Sequence, residues 1–586
     1  MHPVLGLSVL LLLAGLCRAA EPTPAVAGES LLAPDPLAAE PAPGLSSAKV
    51  QRLEREDAPG RRLLRVEVPR AGSQPWQQQV HVGVAGPVTK GRVCHLRFAI
   101  RADDDHARVL LYVQRAESPW TKDLFRWVAA DRTWRHYDLP LVVSEDRPAG
   151  KSMIGFGCAA RAQAIELADV SLTACPPGTP ITSLPATPFT YAGREADAPW
   201  RSAALARINE MRTTTLTVRV RDARGAPVQR AQVRVRQTAH AFAFGTVVPA
   251  WAVLGRQPEH ERFRQELLRH FNQATLDQEL TWGRYSTQAD TAHAAVTWLT
   301  AHQLPVRGHC LIQPSLEPGL DVPPEVLALS RKPAELRRRC AERVVAATAA
   351  LRGQIAQWDV VADPLLYRDL LALIGEDAAV DWFRLARAAD PAAKLFLSNR
   401  LWPGTGDEIL ADALAERARG LVEAGAPVDG IGLDWRWHGM FPDPVAVQST
   451  LDRLARSKLP LAITALGIDA CGDDQLQADA LRDLLIVAFA NRSVRGISLD
   501  GFWAGALWAP NNGLWRANWQ EKPALHVWRD WVEGRWWTDL GGETDADGAC
   551  TFRVFKGRHA IEAVLPDVTH RRDAAIEAPT VMELRP

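Results

Sequence analysis

Three aspartates stand where they could do acid–base chemistry together. Asp363, Asp434 and Asp500 each end a short apolar run of the kind that forms a buried strand. Paired carboxyl groups can act as general acid and general base, or they can line a polar ligand pocket. The alternative for each aspartate is a helix cap, because an aspartate before a helix accepts hydrogen bonds from its first turn. The chemistry therefore depends on whether the three runs end at the same place in the fold.

The apolar runs belong to an alternation of strands and amphipathic segments over residues 241–538. Eight strand candidates are present, namely Phe242–Thr246, Ala274–Gln278, Pro305–Cys310, Gln357–Asp363, Lys394–Asn399, Gly430–Asp434, Leu461–Gly467 and Gly496–Phe502. The segments between them are long enough for crossover helices, and Ala334–Leu351 has the helical period. Eight such units predict a (β/α)₈ barrel with its chemistry at the carboxyl ends of the strands. Even-numbered strands point their side-chain layers the same way, so the three aspartates are expected to converge.

Six segments of this region carry a resemblance to a known family. They are Ala241-Phe-Ala-Phe-Gly245, Phe271-Asn-Gln-Ala-Thr-Leu-Asp-Gln-Glu-Leu-Thr-Trp282, Arg307-Gly-His-Cys-Leu-Ile312, Trp358-Asp-Val-Val-Ala-Asp363, Gly430-Ile-Gly-Leu433 and Leu461-Ala-Ile-Thr-Ala-Leu466. In order and spacing they are similar to the motifs of glycoside hydrolase family 10, the retaining endo-β-1,4-xylanases. The resemblance implies a barrel directed at xylan-like β-1,4-glycans.

The catalytic positions that the resemblance implies are degenerate. The retaining mechanism needs two carboxyl groups about 5–5.5 Å apart across the glycosidic bond. The acid/base glutamate that ends the family's W-D-V-V-N-E is replaced by Asp363, and the nucleophile of I-T-E-L-D is replaced by Ala465. Ala465 has no nucleophilic atom, so the sequence predicts impaired hydrolysis.

The substrate-binding residues that the resemblance implies have also changed type. The Glu-Asn pair of the second strand reads Asp277-Gln278, and the His after the sixth strand reads Arg436. The Trp of the eighth strand reads Asp500, whereas His309 is retained. The expected ligand contacts are Asp277, Gln278, Glu279, His309, Asn399, Arg436, Trp503 and Trp508. No cofactor and no metal are expected, because no ligand spacing supports one.

The rest of the chain predicts a multidomain protein. Residues 1–20 are typical of a secretory signal peptide, with the apolar run Val4–Leu16, and residues 21–48 of a flexible linker. Residues 49–176 predict an all-β jelly-roll sandwich that resembles carbohydrate-binding modules. Residues 177–210 predict a second linker that ends in a short helical stretch, Trp200–Met211. Residues 211–240 predict a β-hairpin turning at Gly225, and residues 539–586 a small C-terminal β-module.

Composition narrows the function. Lys plus Arg and Asp plus Glu both number 68, which argues against a nucleic-acid partner, and no apolar stretch is long enough to predict a membrane span. The 21 Trp residues suit stacking on sugar rings. The expected ligand is a xylan-like polysaccharide or oligosaccharide, met in the periplasm or outside the cell, and the sequence leaves the oligomeric state open.

Three functions remain open at this point. The first is a barrel that binds β-1,4-glycans and is catalytically impaired. The second is an active hydrolase, xylanase-like or inverting, with Asp363 as the acid and Asp434 or Asp500 as its partner; an inverting route needs no covalent nucleophile. The third is a non-catalytic scaffold of the cell envelope.

Overall fold

The computed structural model describes residues 26–37, 49–72, 75–104, 107–317, 322–401, 408–507, 509–565 and 568–585. The predicted signal peptide and most of the first linker lie outside these residues. The chain divides into two compact units, one holding the residues up to Leu124 with Ala130–Pro188, the other holding Phe125–Ala129 with everything from Phe189 onward. Over the ranges just given, no helix is long and apolar enough to cross a membrane.

The N-terminal region is a sandwich of two antiparallel sheets, as predicted. One sheet has the order Lys49–Glu54, Arg62–Val68, Gln163–Ala174, Val93–Ala102 and Arg135–Val142, with the short strand Glu29–Ser30 also paired to Gln163–Ala174. The other has the order Gln79–Val84, Ser152–Gly157, Ala107–Arg115 and Lys122–Ala130. The two sheets meet at Phe98 and Phe156, whose buried rings pack edge to face with centroids 5.3 Å apart.

The central region is a closed barrel of eight parallel strands, which confirms the predicted fold. In chain order the barrel strands are Ala243–Val248, Gln273–Leu276, Val306–Ile312, Ile355–Ala362, Lys394–Arg400, Gly430–His438, Leu461–Asp469 and Val494–Leu499. Each pairs with the next, and the first pairs with the eighth. The sixth strand continues to His438, past the predicted end at Asp434, so Asp434 and Arg436 both lie within it.

Helices follow the barrel strands and cover their outer surface. They are Ala250–Leu254, Pro258–His270, Trp282–Ala301, Pro324–Leu327, Pro333–Ala350, Asp369–Ile374, Ala378–Ala389, Glu408–Glu423, Pro444–Leu454, Asp474–Phe489 and Pro523–Trp528, the last continuing as a π-helical turn over Arg529–Arg535. The predicted Ala334–Leu351 is thus displaced by one residue. The core between helices and strands holds large buried rings, among them Trp358, Trp382 and Trp435.

The predicted β-hairpin over residues 211–240 is wrong, although both of its strands form. The turn at Gly225 is present, and the Val228 amide donates to the Val220 carbonyl at 3.0 Å. Beyond it the strands part: Thr213–Val220 pairs with Ala549–Phe555 and Thr580–Leu584, whereas Gln232–His240 pairs with Asp539–Glu543 and Gly557–Val564.

These strands form one second sandwich with the C-terminal module, whose remaining strand is Thr569–Ile576. Its core joins apolar residues of both segments, including Leu216, Val218, Val235, Phe552 and Ile561. A lone two-stranded hairpin would leave one apolar face exposed to water, and such hairpins are at best marginally stable. Placing the two strands in facing sheets buries both apolar rows against each other.

The helical stretch predicted at the end of the second linker forms helix Pro199–Arg212, which packs against the barrel. Its anchor is Asp483 on the barrel helix Asp474–Phe489, which is 1% exposed. Arg201 Nη2 lies 3.1 Å from Asp483 Oδ2, and the Tyr191 hydroxyl donates to the same oxygen at 2.9 Å. Arg482 Nε donates to Asp483 Oδ1 at 2.7 Å. A buried carboxylate with this many donors ties the segment before the second sandwich to the barrel.

This anchor predicts a large loss of stability for Asp483→Asn. The variant leaves the Arg201 guanidinium buried without its countercharge, which typically costs about 3–5 kcal/mol. Urea unfolding of the full chain measures the change. The comparison variant is Asp412→Asn, whose carboxylate pairs with Arg453 at 2.6 Å while 46% exposed and should contribute less than about 1 kcal/mol. Equal losses for the two variants would contradict the anchor.

Candidate active site

The carboxyl ends of the barrel strands, here called the rim, bring the three predicted aspartates together. Asp363 follows the fourth strand with a left-handed backbone (φ 55°), Asp434 lies in the sixth strand, and Asp500 follows the eighth. Their side chains contact the rim and not the first turn of a following helix, as far as the described contacts show. The helix-cap alternative therefore does not describe them.

Arg436 joins the predicted residues at the centre of the rim. Its Nε donates to Asp434 Oδ1 at 2.9 Å. Its Nη2 lies 3.3 Å from Asp500 Oδ1 and 3.9 Å from Asp277 Oδ2. One guanidinium therefore faces carboxylates from the second, sixth and eighth strands.

Arg400 is the last residue of the fifth strand, and it contacts two carboxylates, those of Asp363 and Asp434. Its backbone N–H donates to Asp363 Oδ1 at 2.7 Å, and its Nη2 lies 3.7 Å from Asp363 Oδ2. Its Nε donates to Asp434 Oδ2 at 3.4 Å. Gln313 Nε2 also donates to Asp363 Oδ2, at 3.3 Å. Acid and base thus alternate along the rim from Asp363 to Asp500.

Sequence reasoning missed Arg400 and did not expect Arg436 to be a charge partner. The available signal was the position of Arg400, one residue after Asn399 at the end of a predicted strand. A side chain there reaches the rim of a barrel.

The pKa values of Asp434 and Asp500 are shifted in opposite directions. Burial tends to raise the pKa of Asp434, but Arg436 and Arg400 outweigh it and hold that pKa below its usual value. Burial dominates at Asp500 and, despite Arg436, raises its pKa to about 6. Asp434 is therefore ionised at neutral pH, whereas Asp500 takes up a proton in mildly acidic solution.

His309 lies beside this network and is held as a cation. Its Nδ1 is 2.8 Å from Asp359 Oδ2, and Asp359 also pairs with the buried Arg307. Burial alone would lower the pKa of His309. The hydrogen bond to Asp359, with the charges of Asp277 and Asp363, outweighs burial and raises that pKa to about 9.

A bulge in the seventh strand sets which way Ala465, the predicted nucleophile position, faces. Its pairing with the sixth strand skips Thr464, because Leu433 pairs with Ile463 and Asp434 pairs with Ala465. Partners in neighbouring strands point to the same side of a sheet, so this bulge turns Ala465 inward beside Asp434. A carboxylate at position 465 would therefore face the rim, but the side chain there is a methyl group.

Gly467, two residues further on, leaves space for the new charges. It pairs with Arg436, and a Cβ at this glycine would lie 2.8 Å from Asn512 Nδ2 and 3.4 Å from Asp500 Oδ2. Asn512 Nδ2 in turn donates to Asp500 Oδ2 at 3.4 Å. The absence of a side chain at Gly467 thus leaves room for the ion pair between Arg436 and Asp500.

Of the other residues predicted to contact a ligand, Asp277 and Gln278 line a cavity, whereas the Trp503 ring is packed inside the protein. Asp277 and Gln278 line a cavity at the rim, together with Arg436, Asp500 and Trp503. The Trp503 ring itself is buried and stacks on Trp519 at 4.7 Å, with its Nε1 donating to the Ala517 carbonyl. Trp508 lies outside the described residues.

The side chains of Glu279 and Asn399 form hydrogen bonds with the protein backbone. Glu279 Oε1 accepts from the Ala250 amide at 2.8 Å, and burial raises the pKa of this carboxyl. Asn399 Oδ1 accepts from the Leu365 amide at 3.1 Å, and its Nδ2 donates to the Arg400 carbonyl at 2.8 Å. These contacts fix the loops after the first and fourth strands.

A closed parallel barrel with carboxyl groups gathered at the carboxyl ends of its strands belongs to the (β/α)₈ class, in which that end carries the site. Residues 235–530 match the family model for glycosyl hydrolase family 10. The chain belongs to this family.

Two curated relatives of this chain carry different names. The anti-sigma-I factor RsgI6 of Acetivibrio thermocellus is 29% identical over 384 residues, which cover 63% of this chain and 47% of that protein. Endo-1,4-beta-xylanase 1 of Arabidopsis thaliana is 28% identical over 354 residues, covering 57% of this chain and 34% of the relative. This chain therefore spans less than half the length of either.

Among solved structures, xylanase 10B from Thermotoga petrophila in complex with xylobiose is 20% identical, with a TM-score of 0.45. The match covers 50% of this chain and 95% of that one.

Because the pKa of Asp500 is raised in the fold, its contribution to the free energy of unfolding should decrease as the pH rises. The folded protein binds this proton more tightly than the unfolded chain, so the associated stability is full below about pH 4 and is lost as the pH rises through about 6. Asp500→Asn should therefore raise the unfolding free energy at about pH 7.5, by at most roughly 3 kcal/mol, and change it little near pH 4.

The matched variant Asp434→Asn should behave in the opposite way, because the pKa of Asp434 is lowered in the fold. It should destabilise the protein at about pH 7.5, and the loss should shrink as the pH falls below about 4. Urea unfolding at the two pH values measures both. The same sign for both variants at about pH 7.5 would show that the rim electrostatics are misassigned.

Proposed function

We propose that this protein binds xylan-like β-1,4-glycans outside the cell and does not hydrolyse them by the family's retaining route. The observation that carries the proposal is Ala465, which faces the rim beside Asp434 where the family has its nucleophile. No glycosyl-enzyme bond can form to a methyl group, so the double displacement has no first step.

The surviving acid position supports the same proposal. Asp363 accepts hydrogen bonds from the Arg400 backbone and from Gln313, with the Arg400 guanidinium nearby. A general acid must instead present a proton to the leaving-group oxygen. Asp363 is also one methylene shorter than glutamate, and a displacement of roughly 1 Å can cost on the order of 10²-fold in rate.

The glycan class is inferred from family membership and from the names of relatives. The Arabidopsis relative is an endo-1,4-beta-xylanase by name. The apolar run Val4–Leu16 at the start of the chain favours export, which would bring the protein to plant-type polysaccharide.

One observation favours the second candidate, an active hydrolase with altered machinery. Asp500 and Asp434 contact the same guanidinium, yet the pKa of Asp500 is raised to about 6 and that of Asp434 is lowered. Carboxyl groups whose pKa values are pushed apart can serve as acid and base, and an inverting reaction needs only such a pair. Asp500 would then be the acid, in place of the sequence-based choice of Asp363.

Binding without turnover is the first expected result. The wild-type full chain should be retarded in a xylan-containing native gel and should release no more reducing ends from xylan than the Asp363→Asn and Asp500→Asn variants do. Turnover that is lost in Asp500→Asn but kept in Asp363→Asn would favour the second candidate. Failure to bind any glycan on an array would instead favour the envelope-scaffold alternative.

Restoring the family's residues should restore the chemistry. The double variant Ala465→Glu with Arg436→His replaces the missing nucleophile and removes the guanidinium that would pair with it. Reducing-end release should rise on the order of 10²-fold over wild type. The matched control is Ala465→Gln with Arg436→His, which has the same shape but no nucleophile. Equal rates for the two double variants would contradict the assignment of Ala465.

A further inference from the structure

The three rim aspartates, Asp363, Asp434 and Asp500, are engaged by the protein itself. Both carboxylate oxygens of each lie between 2.7 and 3.4 Å from a protein nitrogen. These nitrogens belong to Gln313, Arg400, Arg436 and Asn512. A ligand group that bonds to these oxygens would have to share them with the protein's own donors.

The rim cations, in contrast, keep donor nitrogens that the protein does not use. Within the part of the chain that the structure describes, Arg400 Nη1, Arg436 Nη1 and His309 Nε2 have no hydrogen-bond or ion-pair partner. His309 uses Nδ1 for Asp359, and its pKa of about 9 keeps the ring protonated, so that Nε2 also carries a hydrogen. The third, fifth and sixth strands thus each offer one cationic donor.

The same cations are also the more exposed of these charges. The exposed fraction of the side chain is between 27% and 31% for the three cations and between 7% and 16% for the three aspartates. Arg400 and Arg436 share Asp434, the carboxylate between them. A ligand that approaches this part of the rim therefore meets positive charge before it meets the carboxylates beneath.

Asp277 differs from the other three aspartates. Its side chain is 25% exposed, and its described partner, Arg436 Nη2, is 3.9 Å from its Oδ2. It lines the same cavity as Arg436. Its carboxylate can therefore accept hydrogen bonds from the hydroxyl groups of a sugar that also reaches the cationic donors.

The ligand chemistry that matches these groups is an anionic acceptor carried on a ring with hydroxyl groups. A carboxylate accepts charge-assisted hydrogen bonds from guanidinium and imidazolium groups, and such bonds are about twice as strong as neutral ones. A xylose unit offers hydroxyl groups alone. A uronic acid offers both a carboxylate and hydroxyl groups on a single ring.

We propose that the rim binds a uronic acid residue of its glycan, so that the protein prefers acidic xylan-like glycans to neutral ones. The carboxylate of the uronic acid accepts from Arg400, Arg436 and His309, and its hydroxyl groups donate to Asp277. This inference rests on the proposed function, because it names the class of glycan that the same site takes.

A pair of ligands that differ in one group tests the inference on the wild-type full chain. The first is xylotriose carrying one glucuronic acid, and the second is its carboxyl-reduced form, which carries glucose in that place. In calorimetric titration the acidic ligand should bind at least about fivefold more tightly, because only its carboxylate forms charge-assisted hydrogen bonds with the rim cations. A smaller ratio of the two dissociation constants would overturn the inference.

A matched pair of arginine variants tests whether the rim is responsible. Arg400→Gln removes a rim cation, whereas Arg453→Gln removes an arginine that also pairs with an aspartate but lies in the last turn of helix Pro444–Leu454. The preference for the acidic ligand should fall to less than about half of its wild-type ratio in Arg400→Gln and stay unchanged in Arg453→Gln. Thermal melting checks that both variants fold, and Arg436→Gln replaces Arg400→Gln if the latter does not.

The outcomes distinguish this inference from the proposed function. If wild type binds the two ligands equally, or if the rim variant keeps the wild-type ratio, the inference fails while the proposed function stands. If wild type binds neither ligand and does not bind xylan, the proposed function fails, and the inference fails with it.

Discussion

Closure of eight parallel strands is the constraint on which the site depends. It places every carboxyl end on one rim, so side chains from Asp277 to Asp500 become neighbours although they are far apart in the chain. Side chains alternate between the two faces of each strand. Because the bulge at Thr464 shifts this alternation by one residue, Ala465 faces inward with Asp434. The rim charges described above come from the barrel strands and from the residues directly after them.

Several carboxylates lie close together at the rim, and their negative charges must be offset. Arg400 and Arg436 offset them, and both guanidinium groups share Asp434 as a partner. A buried charge without a partner is strongly destabilising, which gives a physical reason for these arginines to accompany the acids. In this arrangement the acids accept hydrogen bonds from the protein. The role proposed for the rim, holding a polar ligand, accords with this arrangement.

The second sandwich shows the limit of local patterns. Alternating apolar residues correctly predicted the strands Thr213–Val220 and Gln232–His240, and the turn at Gly225 forms between them. The pattern could not say which strands pair, since an apolar row in one strand fits any partner that buries it. The C-terminal strands provide those partners, more than 300 residues further along the chain in each pairing.

The barrel, the family and the rim positions of Asp363, Asp434, Ala465 and Asp500 could be predicted from the sequence, because strand periodicity and short motifs can be recognised without the fold. How those positions interact could not be predicted in this way. The roles of Arg400 and Gly467, the fold contacts of Glu279 and Asn399, and the opposite pKa directions of Asp434 and Asp500 all depend on burial and on neighbours from other strands. A carboxyl group's chemistry is set by its surroundings, and those surroundings exist only once the barrel has closed.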